Sequence, residues 1–179
     1  MTTQGKAHGQ DRAYQSHCRD VLQYHNPGFS PYSGDGIDVR FDVGGTTWTI
    51  DVALKNSSDA LLVAECRRRE DPTKQEAIAA FAHKVELLRR EFGVPVGGAF
   101  FCKSSPQLGA VKHGQFEGIT IAELLEGNIS EGFSIAFHHY DREREKRLRN
   151  FILKPARGKY TLTGGNVRFT HNKSGASSE

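Results

Sequence analysis

Two acidic residues stand in the middle of two apolar runs that a polar break separates. Asp51 interrupts the run 47–54, Glu65 interrupts the run 61–66, and residues 56–59 between them read Asn-Ser-Ser-Asp, which is turn chemistry. If the runs pair as an antiparallel hairpin folded about its midpoint, Asp51 lies directly opposite Glu65. Opposed residues point to one face with Cβ atoms about 5 Å apart. Two carboxylates this close repel each other, and a hard divalent cation between them is the usual remedy.

A cation follows the second acid at strand spacing. Arg67 comes two residues after Glu65, so the period of a strand places both on one face. A guanidinium supplies charge and a planar set of donors, but it does not deprotonate in proteins. Lys55 and Lys84 are further cations that could reach the acids, and the sequence does not place them. The alternative is a pair of ordinary acids on a solvated strand; the apolar residues around them favour a functional site.

The elements that must position these residues follow from hydrophobic periodicity. In chain order the sequence predicts a helix at 11–24, strands at 37–43, 47–54 and 61–67, a helix at 73–92, a strand at 94–102, a helix at 105–115 and a strand at 119–121. Strands joined by short turns pair antiparallel, whereas strands separated by helices need parallel crossovers. We therefore expect an α/β fold with a mixed sheet, an antiparallel meander plus parallel strands, flanked by helices.

The long helix has clear boundary signals. Thr73 is a candidate N-cap with Glu76 three positions later, the pattern of a capping box, and Gly93 follows the last helical residue. Its apolar side consists of Ile78, Phe81, Val85 and Leu88. This helix is expected to cover the sheet that carries the acids.

Charge is distributed unevenly along the 179 residues. Residues 1–140 hold 14 Lys and Arg against 17 Asp and Glu, whereas residues 141–179 hold 10 against 4. Residues 141–153 read as a charged helix, and 159–163 and 166–170 read as a hairpin around Gly164-Gly165. A basic segment at 142–173 could bind a phosphate backbone or could be a solvated tail.

Several other function classes find no support in the sequence. No apolar run approaches the roughly 20 residues of a membrane span, and the polar residues 1–10 show no secretory signal. Three widely spaced cysteines indicate reduced thiols and a cytoplasmic protein, without zinc-binding spacing. His138-His139 near Asp141 fits a strand-to-helix junction better than a metal site.

The residues around the acids resemble a known family. Asp51, thirteen residues and then Glu65-Cys66-Arg67 resemble the D…(D/E)xK signature of the restriction-endonuclease-like PD-(D/E)xK nuclease superfamily. The run 63–66, Val-Ala-Glu-Cys, is closest to the Mrr-like branch, and Gln75 with Phe81 resembles the "Q…F" of that branch. The resemblance covers about residues 11–125 and implies a nuclease core there, between a flexible N-terminus at 1–10, a basic extension at 126–173 and a disordered tail at 174–179.

The resemblance implies an endonuclease that hydrolyses DNA. Asp51, Glu65 and the main-chain carbonyl of Cys66 would hold Mg²⁺, or Mn²⁺ in its place, which lowers the pKa of a bound water. Arg67 would stabilise negative charge and Gln75 would belong to the site. DNA, duplex or branched, would be the partner, and a homodimer is expected where both strands are cut. The predicted nucleic-acid contacts are Arg68, Arg69, Lys146, Arg147, Arg149, Lys154, Arg157, Lys159 and Arg168.

Two positions depart from the family pattern. Arg67 replaces the family lysine, and Gln15 stands where the first helix often carries an acid, for which Asp20 could substitute. If proton removal by the lysine is essential, the site is inactive. Two alternatives to the nuclease therefore remain, a catalytically inactive DNA-binding module of the same fold and a protein-interaction domain.

Overall fold

The computed structural model describes residues 3–126, 133–138, 159–163 and 166–171. Its three helices in this part of the chain are α1 (Thr3–His25), α2 (Gln75–Phe92) and α3 (Leu108–Glu117). The strands are β1 (Phe29–Pro31), β2 (Ile37–Val43), β3 (Thr46–Asn56), β4 (Leu61–Arg67), β5 (Val96–Cys102), β6 (Ile119–Glu126), β7 (Phe133–His138), β8 (Lys159–Thr163) and β9 (Asn166–His171).

All nine described strands form one mixed sheet in the order β1-β3-β4-β5-β6-β7-β9-β8, with β2 also paired to β3. The strands β2, β3 and β4 form the antiparallel meander, whereas β4, β5 and β6 run parallel. The helices α2 and α3 connect the parallel strands, as crossovers require. The expected fold class, a restriction-endonuclease-like mixed α/β sheet flanked by helices, is therefore confirmed.

Helices cover both faces of this sheet. The apolar side of α2, buried as predicted, packs with Ala110 of α3 against residues such as Val63 and Phe100. On the opposite face, α1 packs Tyr14 and Cys18 against residues such as Ala64 and Phe101. The central strands are therefore buried on both sides, which explains why β5 is almost continuously apolar.

The predicted hairpin forms with the predicted register. Asn56 closes its turn, because the side-chain Oδ1 accepts hydrogen bonds from the amides of Ser58 and Ala60 at 3.0 and 2.9 Å. Asp59 completes the turn in a left-handed conformation at φ 59°. The strand pairs run from Lys55 with Leu61 to Val52 with Ala64, which is the register folded about the midpoint of the break.

The capping box predicted for α2 is wrong. The helix begins at Gln75, its N-cap is Lys74, and no side chain caps it. Thr73 is buried instead, and its carbonyl accepts a hydrogen bond from the amide of Gln107 at 3.0 Å. A tertiary contact with the loop before α3 has thus replaced the local cap. The C-terminal prediction is correct, since Gly93 ends the helix at φ 62°.

Other boundaries differ from the prediction. The helix α1 begins at Thr3 rather than at residue 11, β6 extends to Glu126, and β1 and β7 lie where no strand was predicted. The hairpin of β8 and β9 forms at the predicted residues. The predicted helix at 141–153 lies outside the described residues.

The cysteines and the helices agree with two of the sequence expectations. Cys18, Cys66 and Cys102 form no disulfide with one another, and Cys18 and Cys102 are buried. Within the described part of the chain, none of the helices combines the length and the apolar character that crossing a membrane requires.

Candidate active site

The two predicted acids are neighbours across β3 and β4. The ladder between these strands ends at Val52 with Ala64, and the same register places Asp51 opposite Glu65. Both side chains are half-buried. Beyond this point the amide of Cys66 donates a hydrogen bond to Oδ2 of Asp51 at 2.6 Å. We refer to Asp51 and Glu65 as the acid pair.

The surroundings of Asp51 disfavour the charged form of its carboxyl. The pKa of its carboxyl is raised from 3.8 to about 6, mainly by burial and also by the nearby charges of Glu65 and Asp38. The hydrogen bond from the Cys66 amide and the charge of Lys84 act in the opposite direction and lower it. The larger cost of burying the charge prevails. The site therefore favours the arrival of positive charge.

One cation reaches the acid pair from outside the strand motif. Lys84 on α2 places its Nζ 3.0 Å from Oε2 of Glu65, with exposed fractions of 26% and 19% for the two side chains. Lys84 lies between two buried residues of the helix, Phe81 and Val85. The packing of α2 on the sheet therefore determines where the ammonium of Lys84 lies.

A third carboxylate stands on the other side of Asp51. The pairs Ile37 with Val52 and Val39 with Ile50 place Asp38 of β2 opposite Asp51, and Asp38 has a left-handed backbone at φ 51°. A non-glycine residue rarely adopts this conformation. Sequence reasoning missed Asp38, because alternation along β2 assigns it to the solvent.

Gln15 binds this carboxylate. Its Nε2 donates to Oδ1 of Asp38 at 3.0 Å, and Arg12 donates to Oδ2 at 3.3 Å. The first helix thus reaches the neighbourhood of the acid pair through an amide. The suggestion that Asp20 substitutes for the missing helix acid is wrong, because Asp20 is exposed and paired with Arg19 at 2.6 Å.

Arg67 packs on Phe100, the residue of β5 that is paired with Glu65. Its guanidinium carbon lies 5.8 Å from the ring centroid of Phe100, a cation–π contact. No ion pair joins Arg67 to either member of the acid pair among the residues that the structure describes. Arg67 also lines a cavity of about 390 Å³ at the start of α2, together with the cations Arg69 and Lys74 and the acids Asp71 and Glu76. We call this the α2 cavity.

Hydrogen bonds and an ion pair join the two loops beside the α2 cavity. The hydroxyl of Ser104, in the loop after β5, lies 2.8 and 3.2 Å from the carbonyls of Asp71 and Arg69 in the loop after β4, and the two carbonyls share its one donor proton. Lys103 pairs with Glu70, and its amide donates to the carbonyl of Arg67 at 3.1 Å. These contacts hold the ends of two parallel strands at one level.

The remaining predicted residues fall into two groups. Gln75 is exposed on the first turn of α2, beside Gly109, and about 13 Å along the helix axis from Lys84. Among the described residues, no recorded contact joins it to the acid pair, and its place in the site stays a prediction. Arg68 is half-buried and Arg69 is exposed near the α2 cavity. Lys159 and Arg168 lie on β8 and β9, and the other predicted contacts, Lys146, Arg147, Arg149, Lys154 and Arg157, lie outside the described residues.

A second buried polar cluster lies further along the sheet. Glu123 on β6 accepts a hydrogen bond from Ser105 at 2.9 Å, and Nε2 of His138 lies 2.9 Å from the same carboxylate oxygen. His138 ends β7, while His139 lies outside the described residues. The sequence signal for this cluster is the acid in the apolar run 119–125.

The acid pair supplies oxygen donors that could hold a magnesium ion. Mg²⁺ keeps several waters and is bound by one or two carboxylates, so two acids and a main-chain carbonyl suffice. The raised pKa of Asp51 is the observation that fits such an ion. In the described ranges, no three side chains of His, Cys, Asp or Glu converge closely enough to bind a metal by themselves.

Solved structures similar to this chain include EndoMS and a repair endonuclease. EndoMS bound to double-stranded DNA has 23% identity and a TM-score of 0.42 over 60% of this chain and 43% of that one. A repair endonuclease from Pyrococcus abyssi has 21% identity and a TM-score of 0.44, over 60% and 46%. A protein of unknown function, AF1548, has 15% identity and a TM-score of 0.48, over 62% and 56%.

The chain thus spans about half the length of these structures. No protein-family model and no curated protein matches the chain.

Proposed function

We propose that the chain is a Mg²⁺-dependent endonuclease that hydrolyses phosphodiester bonds in DNA. The observation that supports this most strongly is the acid pair, in which two half-buried carboxylates face each other and Asp51 has a raised pKa. Such an arrangement stores repulsion that a divalent cation relieves. Binding of the ion is therefore favoured by the same geometry that destabilises the metal-free site.

Each residue of the proposed site has a distinct task. Asp51 and Glu65 bind the ion together with the carbonyl of Cys66, and the amide of Cys66 fixes the orientation of Asp51. When bound, the ion would supply Lewis-acid chemistry to the scissile phosphate and to an attacking water. Arg67 supplies positive charge at the mouth of the α2 cavity, where a backbone phosphate next to the scissile one can bind.

The basic segment 142–173 is proposed as the part that holds the DNA. Its lysines and arginines far outnumber its acids, in contrast to residues 1–140. Contacts to phosphates carry no sequence information but fix the position of a duplex. The Mrr-like branch remains our proposed assignment within the superfamily, on the residues 63–66, and a homodimer is the proposed form for cutting both strands.

The decisive test is cleavage of a supercoiled plasmid in Mg²⁺ or Mn²⁺. We expect the wild-type protein to nick the plasmid and Asp51→Asn to lose the activity by about two orders of magnitude or more, since it removes a ligand charge. Asp59→Asn is the matched control, because Asp59 lies in the exposed hairpin turn at a left-handed φ that asparagine tolerates. Equal nicking by wild type and Asp51→Asn would contradict the proposal.

An inactive DNA-binding module is the second candidate. Its support is the arginine at position 67 and the amide of Gln15 at the place where the first helix often has an acid. This candidate predicts that the wild-type protein binds duplex DNA without nicking it, and that Arg67→Lys does so too or gains cleavage. Nicking that Asp51→Asn abolishes rules it out.

A further inference from the structure

The cation that reaches the acid pair comes from a helix and not from the strand motif. Lys84 forms a 3.0 Å ion pair with Glu65, and its charge acts on Asp51 as well. Arg67, two residues after Glu65 on the same strand, makes its recorded contact with the ring of Phe100. Two cations therefore flank the site, and the lysine is the one within hydrogen-bond distance of a carboxylate.

The position of Lys84 is fixed by packing on both sides of it. Phe81 is 1% exposed and Val85 is fully buried, so the turn of α2 that carries Lys84 is held against the sheet. Gly98 of β5 allows this close approach, since a Cβ there would lie 3.0 Å from Val85 and 3.3 Å from Phe81. The ammonium is consequently presented to the acid pair by a rigid element, as a site of reaction requires.

We infer that Lys84 is the cation that this site presents to the scissile phosphate, while Arg67 binds a neighbouring phosphate at the α2 cavity. The inference rests on the proposed function, and it explains how a chain with arginine in the motif can keep a lysine at the reaction centre. Lys84 would act as a catalytic residue through its charge and a hydrogen bond to the phosphate.

The chemical step is hydrolysis. The oxygen of a water molecule bonds to phosphorus, and the bond from phosphorus to one sugar oxygen breaks. The proton of the attacking water passes to solvent, and the departing oxygen takes a proton from solvent. Lys84 donates a hydrogen bond to a non-bridging oxygen, on which negative charge grows in the transition state. This contact strengthens as the reaction proceeds and therefore accelerates it.

The test compares four variants by plasmid nicking in Mg²⁺ and by calorimetric titration with Mn²⁺. Lys84→Met should nick about 100-fold more slowly. The same variant should bind Mn²⁺ roughly tenfold more tightly, because it removes a positive charge that competes for Glu65. Lys84→Arg should retain more activity than Lys84→Met, since it keeps a charged donor.

Arg67→Met should weaken DNA binding, seen as a higher KM, with less effect on kcat. Lys55→Met is the matched control and should behave like wild type. Lys55 lies over the ring of Tyr32, with its Nζ 5.7 Å from the centroid, four residues along β3 from Asp51.

The opposite directions of the two readouts separate catalysis from a structural role. A lysine that only stabilises the fold would lose activity and Mn²⁺ affinity together, and that result would overturn the inference. Undiminished nicking by Lys84→Met with loss in Arg67→Met would also overturn it, and would leave the proposed function intact. If wild type itself does not nick while Mn²⁺ binds, the proposed function fails and the inference with it. Should Lys84→Met not fold, Lys84→Gln replaces it.

Discussion

At the scale of single residues, the charged carboxyl of Asp51 lowers the stability of the protein when no metal is bound. Its carboxyl is taken out of water beside Glu65 and opposite Asp38, and its pKa rises to about 6. An acid with a raised pKa binds its proton more tightly in the folded than in the unfolded chain. The folded state is therefore penalised increasingly as the pH rises from the unfolded value of 3.8, and the penalty is complete above the folded pKa of about 6.

We predict that Asp51→Asn stabilises the metal-free protein at about pH 8 and leaves it unchanged near pH 3. The gain should be at most about 3 kcal/mol and should develop between the two pKa values, falling as the pH drops from 6 to 4. Urea unfolding in EDTA measures it. The asparagine keeps an acceptor for the Cys66 amide, so the hydrogen bond survives.

Asp59→Asn serves again as the control and should show no such pH dependence, because Asp59 is exposed. A gain for Asp51→Asn that persists at about pH 3 would mean that burial of the charge is not its cause. Saturating Mg²⁺ should reverse the order of the two proteins, since only wild type has both carboxylates to bind the ion.

The facing of Asp51 and Glu65 could be predicted from the sequence, because a hairpin about a short break fixes which residues oppose each other. The contacts of Lys84 and Gln15 could not. Both lie on helices whose rotation relative to the sheet depends on the whole core, and helical periodicity alone leaves several lysines as equal candidates.

At the scale of elements, the packing of α2 against β5 positions Lys84 beside the acid pair. Gly98 of β5 leaves no room for a larger side chain, because a Cβ there would lie 2.5 Å from Cδ1 of Ile119 and would also contact α2. Protein interiors are densely packed, so an added methyl group must displace its neighbours.

We predict that Gly98→Ala lowers the free energy of unfolding by about 1–3 kcal/mol. Gly97→Ala, on the adjacent residue, should cost less, since its nearest neighbour is the flexible end of Leu62 at 3.1 Å. Urea denaturation of both variants provides the comparison.

Ile119→Val removes the closest atom and should restore part of the loss in the Gly98→Ala background. A double variant less stable than the sum of the two single changes would show that the clash lies elsewhere.

Element boundaries show why local signals were insufficient. The sequence pattern Thr73 to Glu76 is a capping box in isolation, yet Thr73 is buried beneath the loop before α3. Similarly, β7 was not predicted; it pairs with β6 before it and also with β9, about 30 residues or more further along the chain. Long-range pairing decides such segments, and no window of local sequence contains it.

At the scale of the whole molecule, residues 1–140 carry more acidic than basic side chains, whereas residues 141–179 carry more basic ones. Residues 141–179 carry 10 Lys and Arg against 4 acids. A segment of this kind binds a polyanion by displacing its counterions, which makes the affinity depend on salt.

We predict that replacing Lys146, Arg147 and Arg149 together by glutamine weakens binding to duplex DNA and reduces the slope of log K against log salt concentration by up to about 3. Arg40→Gln, at an exposed position of β2, is the control and should leave the slope unchanged. Fluorescence anisotropy with a labelled duplex measures the slope. An unaltered slope in the triple variant would assign the segment to a solvated tail.

The fold class and the C-terminal hairpin were predictable at this scale, because the alternation of strands and helices restricts the topology to few choices. The second polar cluster of Ser105, Glu123 and His138 was not, since its members come from three separate elements.

The fastening of the two loops has a mechanical consequence. Because Ser104 bonds to the carbonyls of both Arg69 and Asp71, the loop after β5 cannot shift without dragging the loop after β4 with it. A substrate that contacts either loop is therefore expected to displace both loops together, as one unit at this edge of the sheet.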